Sequence, residues 1–283
     1  MAQITATDPI LVLGATGTHG SAVAHALLTR QAPVNALVRD PTTARARALA
    51  EAGAKLVPGD LYDEDSLVRA FGEVAAVYAI TTPFEHGAED EERQGESIIN
   101  AARETGLAWL ILASVAASER APVPHFQSKA RIEKRLIGTT IPWTVIAPSY
   151  FYENVLASRE SIRAGELPIA LPAQKPLHQV ALADLGALVA AVLNRREEHL
   201  SMRIEVAGDA PTPRDMAAAV GARYVRVPIA EIRERSADLA SMYEFLASEG
   251  YGIDVPALRQ RYPEVAWTSF AAWARGIDWG VRH

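Results

Sequence analysis

The run Ile10-Leu11-Val12-Leu13 leads directly into Gly14-Ala15-Thr16-Gly17-Thr18-His19-Gly20, after which Ala22, Val23, Ala26 and Leu27 recur at helical spacing. Four consecutive apolar residues suit a strand buried on both faces. Glycines at every third position let the chain turn tightly and let its backbone approach a bulky anion. A helix opening straight after such a turn offers N–H groups and a partial positive charge to that anion. This order of strand, glycine turn and helix constrains the fold more than any other feature of the chain. It predicts the first βα unit of a dinucleotide-binding domain, with a pyrophosphate on the turn. The spacing is GxxGxxG rather than GxGxxG, so the remaining sequence has to agree with it.

Downstream, strand-like and helix-like segments alternate. Helices are expected over 18–30, 42–51 (opened by Pro41), 63–71 (capped by Asp63), 89–105 and 126–137. Strands are expected over 10–13, 34–38, 54–57, 74–80, 107–113 and 142–147. Such alternation builds right-handed crossovers and a parallel sheet, whose ligands lie beyond the carboxyl ends of the strands. That rule gathers the 14–20 turn, Arg39, Asp60, Thr81, Thr82, Pro83, Ser114 and the 148–154 segment onto one rim. After Asn154, Gly165, Pro168, Pro172 and Pro176 divide the chain into short pieces. An apolar helix over 185–193, a strand over 203–207, a helix over 212–220 with Pro213 in its first turn, and a strand over 223–227 follow. Helical segments carrying Trp267, Phe270, Trp273 and Trp279 close the chain. The expected fold class is α/β: a Rossmann-like, doubly wound parallel sheet with a smaller C-terminal α/β lobe. Residues 1–155, rejoined by 178–207, would form the nucleotide-binding domain, and 156–177 with 208–283 the smaller substrate or partner lobe.

Composition narrows the function. With 283 residues, 49% of them hydrophobic, the chain can bury a large core. It has no cysteine, which excludes disulfides, thiolate metal sites and a cysteine nucleophile. The seven histidines form no HxxxH or HExxH pattern, so no metal site is expected, and no GxSxG elbow is present. Residues 1–9 lack the basic start and apolar run of a leader peptide, and no apolar stretch is long enough to span a bilayer. A cytoplasmic protein with no membrane association is the expectation. The net charge of −6 argues against direct nucleic-acid binding.

Several residues could carry chemistry. Arg39 ends the second strand, where the adenosine ribose is contacted. Arginine there pairs with a 2′-phosphate, whereas a carboxylate would suit the free 2′-hydroxyl; adjacent Asp40 keeps both options open, with NADP(H) favoured. Asp40 could also cap the next helix. Asp60 could accept from the adenine amino group or cap the helix after it. His19 could donate to phosphate or stand exposed at a helix start. The acidic group Glu85, Glu89, Asp90, Glu91 and Glu92 reads as a solvated helix end that favours the positive pole of the dipole. Lys129 stands one helical turn after His125, so both can face one side. A lysine there can hydrogen-bond nicotinamide-ribose hydroxyls and lower the pKa of a neighbouring acid; its alternative is a solvated face. Phe84, Tyr150, Phe151 and Tyr152 could line an apolar pocket or pack in the core.

Together, Gly14–Gly20, Leu37-Val38-Arg39-Asp40-Pro41, Gly59-Asp60-Leu61, His125-Phe126-Gln127-Ser128-Lys129 and Pro148-Ser149-Tyr150-Phe151-Tyr152-Glu153-Asn154 resemble the NmrA-like family, atypical members of the short-chain dehydrogenase/reductase superfamily. The resemblance covers the first 155 residues well and continues loosely through 180–186 and 212–219. It implies NADP(H) as cofactor. Gly14, Thr16, Gly17, Thr18, His19 and Gly20 would hold the pyrophosphate, and Arg39 the 2′-phosphate. Asp60 and Leu61 would meet the adenine edge. Thr81, Thr82 and Lys129 would meet the nicotinamide half, with Tyr150 and Phe151 walling it. Typical short-chain dehydrogenases place a proton-donating tyrosine four residues before the lysine. His125 holds that place here, and histidine can donate a proton near neutral pH.

Two functions follow from the resemblance. One is an NADPH-dependent reductase of a quinone-like or other conjugated small molecule bound between the lobes, with Lys129 and His125 catalytic. The other is a non-catalytic NADP(H) sensor acting through a protein partner. A monomer or a homodimer would serve either.

Overall fold

The computed structural model describes residues 8–280. Residues 1–7, where the leader reading falls in part, lie outside the described residues. The strands are β1 (Ile10–Val12), β2 (Val34–Val38), β3 (Lys55–Pro58), β4 (Ala76–Ile80), β5 (Leu110–Ala113), β6 (Trp143–Pro148), β7 (Tyr150–Phe151), β8 (Glu166–Ile169), β9 (Gln179–Val180), β10 (Met202–Val206) and β11 (Arg223–Arg226). The helices are α1 (Thr18–Thr29), α2 (Ala44–Glu51), α3 (Glu64–Phe71), α4 (Ala88–Glu104), α5 (Pro124–Ile137), α6 (Arg159–Arg163), α7 (Leu182–Asn194), α8 (Arg196–His199), α9 (Pro213–Ala219), α10 (Ile229–Arg235), α11 (Ala237–Ser248), α12 (Val255–Arg261) and α13 (Phe270–Arg275).

Seven strands form one sheet in the order β10-β6-β5-β4-β1-β2-β3. The neighbours from β3 through β6 pair in parallel, with Val12 opposite both Ala36 and Tyr78. This is a Rossmann-like sheet, and the strand order reverses between β1 and β4. That reversal opens the ligand crevice of such folds beyond these two strands. The apolar runs decide the sheet's position: β1, β2 and β5 are buried along their whole lengths. Leu11, Leu13, Leu37, Val77, Leu112 and Val145 contribute to one core with Leu67, Phe71, Ile98, Ile132 and Leu136 of the flanking helices.

The chain divides into two compact units. The first comprises 1–115, 128–147 and 185–204, and holds most of the sheet. The second comprises 116–127, 148–184 and 205–283. In the second unit β7 pairs with β9 and β8 with β11, both in parallel. Pro168 lies inside β8, although the spacing of the prolines predicts a break there. A two-stranded ribbon has only edge strands, and an edge tolerates proline's missing N–H. Thr212 caps α9 reciprocally with Asp215, and Pro213 sits in the first turn as expected. Of the four closing aromatics, Phe270 and Trp273 lie in α13, while Trp267 and Trp279 lie outside helices.

Helix 42–51 begins later than expected. Pro41 does not open it; Thr43 caps α2 by accepting from the Ala46 N–H. The Asp40 carboxylate accepts from the Thr42 N–H at 2.7 Å and hydroxyl at 2.6 Å, a local turn that ends the strand instead of capping the helix. Asp63 does cap α3, accepting from the Ser66 N–H at 3.1 Å.

Candidate functional site

Gly14 closes the turn after β1 with φ +62°, a conformation that favours glycine. A Cβ on Gly20 would collide with the Gly14 carbonyl, so the turn and the start of α1 touch backbone to backbone. Among the described residues other than its chain neighbours, an added Cβ on Gly17 would meet only Gly14 O within 4 Å, at 3.2 Å, so the outer side of the turn is open. Gly17 is the N-cap of α1, no side chain caps this helix, and its first turn carries no acidic residue. An N-terminus of this kind at the switch point suits a pyrophosphate. The six candidate residues Gly14, Thr16, Gly17, Thr18, His19 and Gly20 all belong to this element.

His19 is neither an exposed helix-start residue nor aimed outward alone. Its Nε2 lies 2.8 Å from the hydroxyl of Tyr78 on β4. Burial first, and the positive charge of Lys129 second, lower the His19 pKa to about 3. Burial likewise raises the pKa of the Tyr78 phenol. The pair therefore stays neutral over the ordinary pH range.

At the end of β2 the Arg39 guanidinium donates from both terminal nitrogens to the two carboxylate oxygens of Glu85, each at 3.2 Å. This ion pair is open to solvent, with side-chain exposures of 64% and 42%. After β3 the Asp60 carboxylate accepts from the Tyr62 N–H at 3.0 Å, a turn-forming role rather than a helix cap. Leu61 packs against the sheet core.

After β4 the acidic stretch departs from the reading of a solvated helix end. Glu91 is fully buried and Asp90 nearly so. Glu91 Oε1 accepts from Lys129 Nζ at 2.7 Å and from the Thr81 hydroxyl at 2.9 Å, and Oε2 accepts from the Ser128 hydroxyl at 2.5 Å. Lys129 also donates to the Thr81 carbonyl at 3.3 Å. Lys129 is therefore not on a solvated face, its side chain being 14% exposed. The Thr82 N–H donates to Gln94 at 3.0 Å, and Gln94 donates to the Tyr62 hydroxyl at 2.8 Å. Phe84 is 74% exposed and so does not pack in the core.

His125, Tyr150 and Phe151 belong to the second unit. His125 is buried, and its Nδ1 lies 2.5 Å from Oδ2 of Asp238. The Tyr150 hydroxyl lies 3.2 Å from that of Tyr243, and burial followed by Tyr243 pushes its phenol pKa well up. Phe151 forms β7 with Tyr150, opposite Val180. Tyr152 is core: it is fully buried, and its hydroxyl donates to the Thr268 carbonyl at 2.9 Å. The Ser114 hydroxyl donates to buried Glu133, which also accepts from Arg203 Nε at 2.7 Å. Ser114 thus belongs to a buried ionic tie in the first unit. Among the described residues, no group of three or more His, Asp or Glu side chains is arranged to hold a metal.

The profile of the NmrA-like family matches residues 6–273. The chain belongs to the NmrA-like family. Among curated relatives, the NAD(P)H azoreductase of Xenophilus azovorans is 28% identical over 234 residues, covering 80% of this chain and 79% of that protein. Quinone oxidoreductase 2 of Escherichia coli is 28% identical over 202 residues, covering 71% and 68%. In fold, the chain resembles NmrA, a negative transcriptional regulator solved in complex with NADP, with a TM-score of 0.78 at 18% identity over 97% and 99% of the two chains. The relatives thus include an azoreductase and a quinone oxidoreductase, and the fold is shared with a regulator.

Two residues of this NmrA-like chain were missed by reading the sequence, and both had left a trace there. Glu91 shares the buried stripe of α4 with Gly95, Ile98 and Ala102. Asp238 is half-buried, its side chain 30% exposed, on the same face of α11 as the buried Met242 and Phe245. A carboxylate on an apolar stripe needs a partner, because an unpaired buried charge is strongly destabilising. Local reading assigned the first to helix-dipole compensation and passed over the second.

Proposed function

We propose that this protein is an NADP(H)-dependent reductase of quinone-like, azo or other conjugated small molecules. The observation that carries the coenzyme reading is Arg39. Its planar fork already holds a two-oxygen anion, the Glu85 carboxylate, at the end of the second strand, where such folds contact the adenosine ribose. The same fork suits a 2′-phosphate. The open Gly17 turn at the uncapped start of α1 suits the pyrophosphate, so the residues present fit a dinucleotide. When bound, the coenzyme supplies the hydride. The chain's own residues bind and orient it and move a proton. Asp60 and Leu61 would border the adenine, and Thr81, Thr82 and Lys129 the nicotinamide ribose, with Tyr150 and Phe151 beside the ring. Lys129, held by Glu91 and Thr81, is pre-positioned rather than swinging free, which favours a fixed geometry over adaptability. His125 would supply the proton. The azoreductase and quinone oxidoreductase relatives support the acceptor class.

The likeness to NmrA favours a second reading, a coenzyme sensor that works through a protein partner. Both readings are tested by titrating NADP and NADPH calorimetrically and then following NADPH absorbance with a panel of quinones and azo dyes. Turnover that saturates in the acceptor is expected. Tight NADP(H) binding without turnover of any acceptor would replace the reductase by the sensor.

A further inference from the structure

The sheet rim is accounted for by the site, and the buried Glu133–Arg203 tie by packing. The half-buried carboxylate of Asp238 on α11 is not. Ser236 already caps this helix by accepting from the Leu239 N–H, so Asp238 is not needed as the cap of its own helix. Both of its oxygens instead go to one residue, His125. Oδ2 lies 2.5 Å from the imidazole Nδ1, and Oδ1 accepts from the His125 backbone N–H at 3.1 Å. The two-point hold fixes carboxylate and ring together. The ring is also packed edge-on against Phe126, centroids 4.8 Å apart at 85°, and Phe126 meets Phe245 of the same α11. Rotation of the imidazole would break an ionic hydrogen bond and this aromatic contact at once.

We propose that Asp238 is a positioning residue for His125: its carboxylate keeps hydrogen on Nδ1 and so assigns proton delivery to Nε2. An ionised carboxylate can only accept, which selects the Nδ1–H tautomer in the neutral ring and stabilises the imidazolium that carries the second proton. Resting on the reductase reading, the acceptor gains two electrons and one hydrogen as hydride. The oxygen or nitrogen left negative takes a proton from Nε2 of protonated His125. The coenzyme leaves oxidised, the acceptor leaves as hydroquinone or hydrazo compound, and solvent returns one proton to His125. The residue that replaces the usual tyrosine thus comes with its own orienting acid.

Asp238→Asn is the deciding variant, because its amide oxygen can still accept the backbone N–H of His125 while its NH2 would face Nδ1. Nitrogen-15 NMR of the histidine side chains in the full chain is expected to show His125 as the Nδ1–H tautomer, and to show it switch to Nε2–H in Asp238→Asn. Steady-state assays with NADPH and a quinone should show kcat falling about 100-fold, with the NADPH KM changed less than twofold. Adding Asp238→Asn to His125→Gln should cost nothing further. An Nε2–H tautomer in the wild-type protein, or an unchanged tautomer in Asp238→Asn, would overturn the proposal whether or not any acceptor is reduced. Unchanged kcat in Asp238→Asn, in a wild-type enzyme that does turn over, would overturn it too. Absence of all turnover, with the tautomer switch observed, would sink the reductase reading and leave Asp238 as the residue that orients His125.

Discussion

Glu85 and Glu91 flank the start of α4, and each pairs with a cation near the carboxyl end of the sheet. Glu85 meets Arg39 in the open, 42% exposed against 64%. Glu91 meets Lys129 under the surface, 0% exposed against 14%, and also takes the hydroxyls of Thr81 and Ser128. Water screens the first pair, so it contributes about 0–1 kcal/mol and can be exchanged for another anion at little cost. The second pair cannot be opened without leaving a charge in the protein interior. Under the proposed function the difference would suit two tasks: a replaceable anion would leave Arg39 available to a phosphate, whereas a locked one keeps Lys129 in place.

The largest effect that would break this contrast is expected from Glu91→Ala. It should destabilise the protein by about 3–5 kcal/mol, read from the urea midpoint at constant m-value. A loss below about 1 kcal/mol would put Glu91 in the same class as Glu85. Glu91→Gln combined with Lys129→Met should recover most of that loss, since neither charge is then buried alone.

Next comes Arg39→Ala, which should weaken NADP about 10- to 100-fold, the value of a lost charge-assisted fork of about 1.5–3 kcal/mol. NAD affinity and thermal midpoint should hardly change. Equal losses for both coenzymes in calorimetry would remove Arg39 from the 2′-phosphate.

A smaller effect concerns pH. His19 has a folded pKa of about 3 against 6.5 for the free side chain. Below pH 6.5 the unfolded chain therefore binds a proton that the folded chain refuses, and stability falls as the pH drops towards 3. His19→Gln should flatten the stability–pH curve in that window and leave it unchanged above pH 7. An identical acid limb in both proteins would show that His19 protonates without resistance. The smallest change is expected from Glu85→Gln: a stability change within about 1 kcal/mol and a slight gain in NADP affinity, since a competing carboxylate is removed from Arg39. A loss of NADP affinity would mean that Glu85 organises the site rather than vacating it.

The sheet was legible because its information is local. Apolar runs, a glycine turn with one obligatory positive φ and spaced cap residues fix β1–β6 and α1 with few long-range terms. Boundaries moved where side chains compete for backbone groups, as at Asp40 and Thr43. Pro168 hid a strand because proline excludes only central strands, and edge position is a tertiary property.

By itself, then, the chain determined the parallel sheet, the glycine turn, the position of Arg39 at a strand end and the succession His125, Lys129 on one helix. The tertiary structure decided which charges are locked. Glu85 and Glu91 carry the same carboxylate within one short stretch, and only burial separates a replaceable partner from a fixed one. Asp238 lies far from His125 in sequence, and only the packing of α11 brings its carboxylate to the imidazole. Charge pairing depends on distance and on the surrounding dielectric, and both are set by the completed fold rather than by neighbours in the chain.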